Sequence, residues 1–172
     1  MLRRLDRYAD VNERKLMDLY AESNRENAED FFPGEDPKTA VPKVEAGFLS
    51  FLKDEFFPAP ENTYWVLELD GVWVSALRLT ELNGRRFYLE ALETHPDYRR
   101  RGYAVRLIRA VAGELQKSGP FCICDCVGKR NAASLAAHKR AGFAIVSENG
   151  YDWLQKEADD RHYGLELRSS EQ

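Results

Sequence analysis

The strongest pattern in the chain is an alternation of apolar and polar positions near its centre. Strand-like runs at 64–69, 72–80 and 87–92 are separated by the dipeptides Asp70-Gly71 and Asn83-Gly84. Both dipeptides favour two-residue hairpin turns, because the central positions of those turns need a positive φ angle. The pattern therefore predicts an antiparallel meander of three strands.

Before the meander, the apolar spacing predicts one strand and two helices. Apolar positions recur with a helical period in two segments, and Asp10 and Glu13 have the spacing of a capping box before the first. Between the helices, prolines and a glycine predict a loop. The predicted elements are a strand at 2–7, a helix from the Asp10 cap to about Ser23, a loop at 24–42 and a helix at 43–54.

After the meander, the period becomes helical and then alternates again. A strand, a helix and a second strand connected in this way favour a right-handed crossover with parallel pairing. The predicted elements are a helix at 102–117, a strand at 121–127, a helix at 132–141 capped by Asn131 and ended by Gly142, and closing strands at 143–146 and 162–167, with 151–154 as a candidate strand between them.

Three cysteines alternate within the strand at 121–127. Cys122, Cys124 and Cys126 are two residues apart, so they share one face of the strand. Cysteines spaced in this way rarely form a disulfide, and no histidine has ligand spacing to them. We expect reduced core cysteines and no metal site.

Length and charge narrow the classes of protein. The 172 residues predict one domain, 1–172, with a core of its own. Lys and Arg number 25 against 29 Asp and Glu, and a formal charge of −4 argues against nucleic-acid binding. No apolar run approaches the roughly 20 residues of a membrane span, and the first residues lack the apolar core of a signal peptide. We therefore expect a cytoplasmic protein without a membrane partner.

The basic turn at 99–104 is the most specific chemical signal. Its residues, Arg99-Arg100-Arg101-Gly102-Tyr103-Ala104, lie between a predicted strand and a predicted helix. Backbone N–H groups at a helix start bind phosphate, and Gly102 lets the ligand approach closely because it has no Cβ. Arg100 and Arg101 would add charge-assisted contacts. An exposed basic turn without a ligand is the alternative, but the spacing favours a di- or polyphosphate.

Two common nucleotide motifs do not fit this turn, and a third motif does. The chain has neither Gly-x-Gly-x-x-Gly after a strand nor the Gly-Lys-Ser/Thr of a P-loop. The turn resembles the acetyl-CoA motif Gln/Arg-x-x-Gly-x-Gly/Ala of the GNAT superfamily of N-acetyltransferases. The segment from Asn131 to Phe143 is similar to the family's Asn-x-x-Ala-x-x-Leu-Tyr-x-Lys-x-Gly-Phe, with His138 at the tyrosine position.

The resemblance implies a fold and a cofactor site. The fold is α/β (α+β): a central mixed, mostly antiparallel sheet of six to seven strands with helices on both faces. The cosubstrate is acetyl-CoA, and its pantetheine arm would lie where the strand at 87–92 splays from the strand at 121–127. The residues implied for binding it are Leu92, Glu93, Thr94, Arg99, Arg100, Arg101, Gly102, Tyr103, Ala104 and Asn131.

The resemblance also implies catalytic roles. A neutral amine needs a base or a water relay, and the departing thiolate needs an acid. Glu90 and Glu93 are candidate bases, although strand alternation sends them to opposite faces. His138 is the candidate acid, because an imidazole with a pKa of about 6.5 can donate a proton. Further candidates for the acid are Tyr151 and Tyr163, and the amide of Leu92 or Glu93 is expected to stabilise the oxyanion.

The implied function is transfer of acetyl from acetyl-CoA to a primary amine in a ternary complex. The expected acceptor is a small amine, an amino-acid derivative, or a peptide or protein N-terminus. The phenylalanine-rich segment 24–60 is expected to form the acceptor wall or a subunit contact, with a homodimer as one arrangement. Two alternatives stay open. One is a non-catalytic CoA-binding sensor or partner module, and the other is a transferase that uses a longer acyl-CoA.

Overall fold

The computed structural model describes residues 1–169. Within them no helix has the length and apolar character that a membrane crossing needs. In the same residues, no three His, Cys, Asp or Glu side chains converge as metal ligands do. The three cysteines are free thiols, and Cys124 is buried whereas Cys122 and Cys126 are half-buried. The prediction of fully buried cysteines therefore holds only for Cys124.

The secondary structure follows the predicted order with several changed boundaries. The helices are α1 (Glu13–Leu19), α2 (Ala21–Phe31), α3 (Pro37–Phe51), which continues into a wider π-type turn at Leu52–Phe56, α4 (Tyr103–Gln116) and α5 (Ala132–Ala141). The strands are β1 (Leu2–Leu5), β2 (Asn62–Leu69), β3 (Val72–Asn83), β4 (Arg86–Thr94), β5 (Cys122–Gly128), β6 (Ala144–Ser147), β7 (Gly150–Asp152), β8 (Glu157–Asp159) and β9 (His162–Arg168).

One seven-stranded sheet organises the protein. Its order is β1-β2-β3-β4-β5-β9-β6, and every neighbouring pair is antiparallel except β4 and β5. Helices α4 and α5 pack on one face around Leu107 and Ile108, whereas α1 and the end of α3 cover the other face around Leu16 and Tyr64. This arrangement confirms the predicted mixed, mostly antiparallel sheet with helices on both faces.

The central meander is confirmed, with one shift in its second turn. Strands β2, β3 and β4 are antiparallel neighbours, and Asp70 and Gly71 have φ angles of +47° and +80° in the first turn. In the second turn the positive φ angles belong to Gly84 and Arg85. That turn lies one residue beyond the predicted Asn83-Gly84, because β3 continues through Asn83.

The predicted loop at 24–42 is wrong, because helices occupy most of it. Helix α2 runs to Phe31, and α3 begins at Pro37 with Pro42 inside it. Pro37 is the first helical residue, where a missing N–H costs no intrahelical hydrogen bond, whereas Pro42 in the second turn removes one such bond. The Asp36 carboxylate caps α3 by accepting a hydrogen bond from the Lys38 amide at 2.9 Å. A small cluster of Ala28, Ala40 and Val44 joins the two helices, so packing overrides the loop signals.

The first helix also starts later than predicted. Asn12, and not Asp10, is its N-cap, since the Asn12 side chain accepts a hydrogen bond from the Lys15 amide at 3.1 Å. Asp10 ends a short 3-10 turn instead. Tyr20, with a ψ angle of 10°, interrupts the predicted helix and separates α1 from α2.

The β7–β8 hairpin packs on β5 and β9 next to the sheet edge. At Gly150 an added Cβ would lie 2.3 Å from the Cys126 Sγ and 2.7 Å from the His162 Cβ. Only a residue without a side chain fits this contact. Gly150 therefore sets how closely the hairpin approaches the sheet.

We expect Gly150→Ala to lower the free energy of unfolding by about 1–3 kcal/mol, the usual cost of overpacking. The control is Gly113→Ala in α4, where nothing lies within 4 Å of an added Cβ. The control should raise the free energy of unfolding by about 0.5–1 kcal/mol through helix propensity. Urea unfolding measures both variants, and equal effects would contradict the close packing of the hairpin.

Candidate active site

The candidate site lies where β4 stops pairing with β5. The two strands pair only from Arg86 to Tyr88 on β4 and from Cys122 to Cys124 on β5. Strand β5 stays paired with β9 along its whole length, up to Gly128. Beyond Tyr88 the two parallel strands therefore diverge, as the family resemblance implies, and a wedge opens between them.

A bulge at Ala91 interrupts β4 within this wedge. Ala91 has a φ angle of +49°, and the register with β3 shifts there: Arg78 lies opposite Glu90, but Ala76 lies opposite Glu93. Because Arg78 and Ala76 share one face of β3, Glu90 and Glu93 also share one face of β4. The expectation of opposite faces is therefore wrong, since it counted residues without the bulge.

Two buried tyrosines hold the bulge in place. The Tyr20 hydroxyl donates a hydrogen bond to the Ala91 carbonyl oxygen at 2.6 Å, and the Tyr64 hydroxyl donates to the Tyr20 oxygen at 2.7 Å. Burial raises the pKa of Tyr64 to about 12 and the pKa of Tyr20 well above its usual value. Both hydroxyls therefore remain neutral donors at physiological pH.

A groove of about 670 Å³, which we call the basic groove, follows the open edge of β4. It is lined by the end of β4 at 92–94, by the turn and helix start at 99–105, and by α5. Arg100 and Gly102 have φ angles of +59° and +79° in the turn just before α4. Backbone N–H groups in such a turn converge as an anion-binding nest, and the positive end of α4 adds to them.

The arginines of the turn have different positions. Arg99 forms salt bridges with Glu22 and, at 3.1 Å, with Glu93, so its charge is already paired. The Arg101 guanidinium lies 5.5 Å from the centre of the Tyr98 ring and does not line the groove, which differs from the expectation for its side chain. Arg100 does line the groove.

In addition to Arg99 and Arg100, the groove has one cation that was not identified from the sequence. Arg140, from the last turn of α5, lines the groove together with Arg100. Asn131 lines it as well, while its side-chain oxygen caps α5 by accepting a hydrogen bond from the Ser134 amide at 3.0 Å. Arg140 lies two residues before Gly142 in the second motif, and only the packing of α5 against α4 brings it to the groove.

Glu90 and Glu93 differ in their surroundings. The Glu93 carboxylate accepts hydrogen bonds from the Ser23 hydroxyl and, at 2.9 Å, from the Thr94 amide, in addition to the Arg99 salt bridge. The Glu90 carboxylate has the Arg78 guanidinium at 4.0 Å. Burial raises the pKa of Glu90, the Arg78 charge lowers it, and the nearby carboxylates Asp152 and Asp125 raise it further, with a net increase.

His138 is buried between α5 and β5, with a side chain that is 1% exposed. Its Nε2 lies 2.7 Å from the Asp125 carboxylate, and its Nδ1 lies 2.8 Å from the Ser134 carbonyl oxygen and 3.3 Å from the Ser134 hydroxyl. Burial alone would lower the pKa of His138, but hydrogen bonding to Asp125, its charge and the Ser134 carbonyl raise it overall. Ser134 lines the basic groove, and His138 does not.

The two tyrosines proposed as alternative acids lie elsewhere. Tyr151 is on the exposed β7 strand, where its ring packs edge-on against Trp153 with 4.9 Å between the ring centres. Tyr163 is on β9, with the Lys129 ammonium 5.1 Å from its ring centre. Neither residue lines the basic groove.

A second cavity, which we call the aromatic cavity, opens from the basic groove. Its volume is about 590 Å³, and it shares Ser23, Leu92 and Glu93 with the groove. Four phenylalanines of α2, α3 and the connecting residue contribute to its wall: Phe31, Phe32, Phe48 and Phe51. The predicted phenylalanine-rich segment therefore does line a cavity next to the end of β4.

A third cavity of about 630 Å³, the acidic cavity, lies under the β7–β8 hairpin. Its lining includes Tyr88 of β4 and the carboxylates Asp152, Glu157 and Asp159. Tyr88 and Glu90 are two residues apart on one face of β4, so Glu90 lies between this cavity and Arg78 of the aromatic cavity.

Comparison with known proteins places this architecture in a family. The model of the acetyltransferase (GNAT) family matches residues 14–143. A comparison with curated protein sequences finds no match. The family match covers most of the chain, so the protein belongs to the GNAT acetyltransferase family, a class of acyl-CoA transferases.

Solved structures share the fold at low sequence identity. PaiA N-acetyltransferase from Thermoplasma acidophilum, in complex with coenzyme A, has a TM-score of 0.64 and 13% identity, with 98% of this chain and 99% of that chain covered. Aminoglycoside 6'-acetyltransferase type Ii has a TM-score of 0.62, 15% identity and coverages of 97% and 96%. YncA from Salmonella typhimurium, solved with acetyl-CoA, has a TM-score of 0.55 and 14% identity, with 100% of this chain and 95% of that chain covered.

We expect His138→Gln to lower the free energy of unfolding by about 3 kcal/mol at pH 6, because it leaves the Asp125 carboxylate without its buried partner. The folded-state pKa of His138 is raised, so the pair stabilises the protein fully below the unfolded-state pKa of about 6.5, and this stabilisation is lost as the pH rises through the folded-state value. Urea unfolding at pH 6 and pH 9 measures the difference.

Asp125→Asn is the companion variant, since it removes the charge and keeps the shape. Asp125→Asn should lose the same pH-dependent contribution to the free energy of unfolding that His138→Gln loses. A wild-type stability that rises between pH 6 and pH 9 relative to both variants would contradict the charged His138–Asp125 pair.

Proposed function

We propose that this protein transfers acetyl from acetyl-CoA to a primary amine, on a small molecule or a peptide N-terminus, by direct attack in a ternary complex. The observation that carries the proposal is the junction at Leu92 and Glu93. There the basic groove, which has the properties of a phosphate site, opens into the aromatic cavity, which offers space for a second substrate. A transferase that joins two substrates needs such a junction.

The groove fits coenzyme A through its backbone and two cations. The amides around Arg100 and Gly102 and the start of α4 would hold the pyrophosphate, with the Arg100 and Arg140 side chains adding charge-assisted contacts. The open edge of β4 from Leu92 to Thr94 would pair with the pantetheine arm, and Asn131 would contact the arm from the α5 cap. The amides of Arg101, Tyr103 and Ala104 complete the proposed set.

Glu90 is the proposed base, and it would act through a water because it lines neither the basic groove nor the aromatic cavity but lies 4.0 Å from Arg78, which lines the latter. The amine nitrogen bonds to the acyl carbon, the carbon–sulfur bond breaks, and the amine proton passes through a water to the Glu90 carboxylate. Burial raises the pKa of Glu90, which makes its carboxylate a stronger base near neutral pH. The bulge leaves Ala91 and Leu92 without a partner on β3, whereas Glu93 is again opposite Ala76. The amide of Leu92 or of Glu93 would stabilise the oxyanion.

Glu93 and His138 act less directly in this proposal. Glu93 already accepts three donors, so it would position the bulge, α2 and Arg99 more than it would take a proton. His138 would supply the thiolate proton through the Ser134 hydroxyl, which lies between the imidazole and the groove. This relay lets the buried histidine serve as the proton source without contacting the cosubstrate.

One observation favours the alternative of a longer acyl group. The aromatic cavity meets the groove at Leu92, where the thioester would lie, so it has room for an acyl chain as well as for an acceptor. Comparing acetyl-CoA with hexanoyl-CoA at saturating amine distinguishes the two. Faster thiol release from hexanoyl-CoA would assign the cavity to the acyl chain.

We expect Glu90→Gln to lower kcat by about a hundredfold, in the range of lost general-base catalysis, with unchanged acetyl-CoA affinity. Free thiol release with an amine panel measures turnover. The wild-type rate should rise with pH through the raised pKa of Glu90, because only the carboxylate accepts the proton, and the variant should lose that rise. Glu81→Gln, at an exposed position near the end of the otherwise mostly buried β3, is the control. Full activity of Glu90→Gln would remove Glu90 from the mechanism.

Gly102→Ala tests the cofactor side. Gly102 has a φ angle of +79° with nothing within 4 Å of an added Cβ, and Gly71 has a φ angle of +80° in an equally open position. Both alanine variants therefore carry the same backbone strain, of about 1 kcal/mol. Only Gly102→Ala should weaken acetyl-CoA binding, by about tenfold or more in calorimetry, and equal affinities would contradict the proposed pyrophosphate position.

A further inference from the structure

The aromatic cavity is suited to an amphipathic small molecule. Its volume of about 590 Å³ lies within the usual range of small-molecule sites. Phe31 lines it and is 68% exposed, although a large apolar side chain gains free energy when a ligand covers it. Aromatic walls of this kind bind a flat or branched apolar group.

Two cations line the cavity, and they differ in how well they are paired. The Lys43 ammonium forms a salt bridge with Glu35 at 2.8 Å and lies 5.0 Å from the centre of the Phe32 ring. The Arg78 guanidinium has its nearest carboxylate, Glu90, at 4.0 Å, beyond hydrogen-bond distance. Within the described part of the chain, Arg78 is therefore the one of the two cations without a close carboxylate partner, so it is free to bind an anionic group of a ligand.

The surroundings of Arg78 are largely apolar. Its side chain is 14% exposed, and the guanidinium lies 5.1 Å from the centre of the Phe51 ring and 5.5 Å from that of Phe56. Its Nε is buried without a hydrogen-bond partner among the described residues. A guanidinium has five N–H donors, and leaving them unmet in an apolar site is unfavourable. A carboxylate fits a guanidinium best, because its two oxygens accept two parallel N–H hydrogen bonds.

A second polar group in the cavity is also incompletely satisfied. Asn24 is 3% exposed and lines the cavity, and its side-chain nitrogen makes a weak contact of 3.7 Å with the Met17 sulfur. Within residues 1–169, its side-chain oxygen has no hydrogen-bond donor. An oxygen in that position accepts a hydrogen bond from an N–H group of a ligand.

One small ligand can reach both the cation and the proposed reaction centre. Arg78 lies opposite Glu90 and next to the bulge at Ala91, and the proposed reaction centre lies at Leu92. Arg78 and Leu92 both line the aromatic cavity. A carboxylate on Arg78 and an amine at Leu92 can therefore belong to one small molecule, as they do in an amino acid.

We propose that the acceptor is an amino-acid-like amine with a carboxylate next to the reacting nitrogen and an apolar, aromatic or branched, side chain. Arg78 binds the carboxylate, the phenylalanines of the aromatic cavity bind the side chain, and Asn24 accepts a hydrogen bond from the ligand. This inference rests on the proposed acetyl transfer and names the class of acceptor for the same site.

The test compares acceptors that differ in one group. Phenylalanine, phenylalanine amide and phenethylamine keep the ring and the amine, but only phenylalanine has the carboxylate; putrescine represents the cations that would fit the acidic cavity. Thiol release from acetyl-CoA gives kcat/KM for each. We expect phenylalanine to exceed the amide and phenethylamine by about tenfold to a hundredfold, the usual range for a charge-assisted contact.

Variants of the cavity cations test which residue causes the preference for an acceptor with a carboxylate. In Arg78→Gln the ratio of kcat/KM for phenylalanine to kcat/KM for phenethylamine should fall to about one, while Arg78→Lys restores part of it. Both acceptors use the same base, so this ratio cancels the effect that the lost Arg78 charge has on the pKa of Glu90. Lys43→Gln is the matched control in the same cavity, and it should keep the selectivity because Lys43 is paired with Glu35. Thermal unfolding checks that the variants fold, and the wild-type acceptor comparison does not depend on them.

The outcomes separate this inference from the proposed function. Preference for phenethylamine or putrescine over phenylalanine would leave acetyl transfer standing and overturn the amino-acid proposal. Selectivity for phenylalanine that survives in Arg78→Gln would overturn the role of Arg78. Acetyl-CoA binding without thiol release for any amine of the panel would overturn the proposed transfer and the acceptor proposal with it.

Discussion

The bulge at Ala91 is the constraint on which the rest of the site depends. One extra residue in β4 shifts its register with β3, and the strand diverges from β5 over the same stretch. An alanine in the left-handed region costs about 1–2 kcal/mol, and the hydrogen bond from the Tyr20 hydroxyl offsets part of this cost. The Tyr64 hydroxyl on β2 donates a hydrogen bond to the Tyr20 oxygen. Tyr20, the residue between α1 and α2, and the sheet therefore fix the geometry of the bulge together.

The bulge also divides the site into two electrostatic halves. On one side, Arg100, Arg140 and the start of α4 make the groove positive although the chain has a net charge of −4. On the other side, Glu90 lies between Arg78 and the acidic cavity. A polyphosphate would be attracted to the first half, while the second half combines a carboxylate with a cation that, within residues 1–169, has no close carboxylate partner. The proposed cosubstrate and acceptor would therefore bind on either side of the bulge along one strand.

Much of the scaffold could be predicted because its signals are local. Hairpin turns with positive φ angles, the stripe of α4 and the glycine of the basic turn each depend on a few consecutive residues. The resemblance of two segments to one family then defined the topology. Most of α2 and the first part of α3 were missed because Pro33, Gly34 and Pro42 indicate a loop, and only the packing of Ala28 on Ala40 and Val44 shows otherwise.

The parts of the site that could not be predicted depend on non-local contacts. Nothing at Ala91 marks a bulge, since the tyrosine that holds it is distant in sequence, and without the bulge the faces of Glu90 and Glu93 are assigned wrongly. The partnership of His138 with Asp125 likewise requires α5 to lie on β5. Arg140 and Arg78 reach their positions through helix packing and sheet register, which composition and periodicity do not encode.

Amide hydrogen exchange with and without acetyl-CoA tests the central claim that the opened edge of β4 and the basic turn form one binding surface. The account predicts slower exchange at residues 89–94 and 100–104 when acetyl-CoA is added, because amides that face the wedge and the groove gain a partner, with unchanged exchange in β1 and β2. Slowing confined to other segments, with none at β4 or the turn, would contradict it.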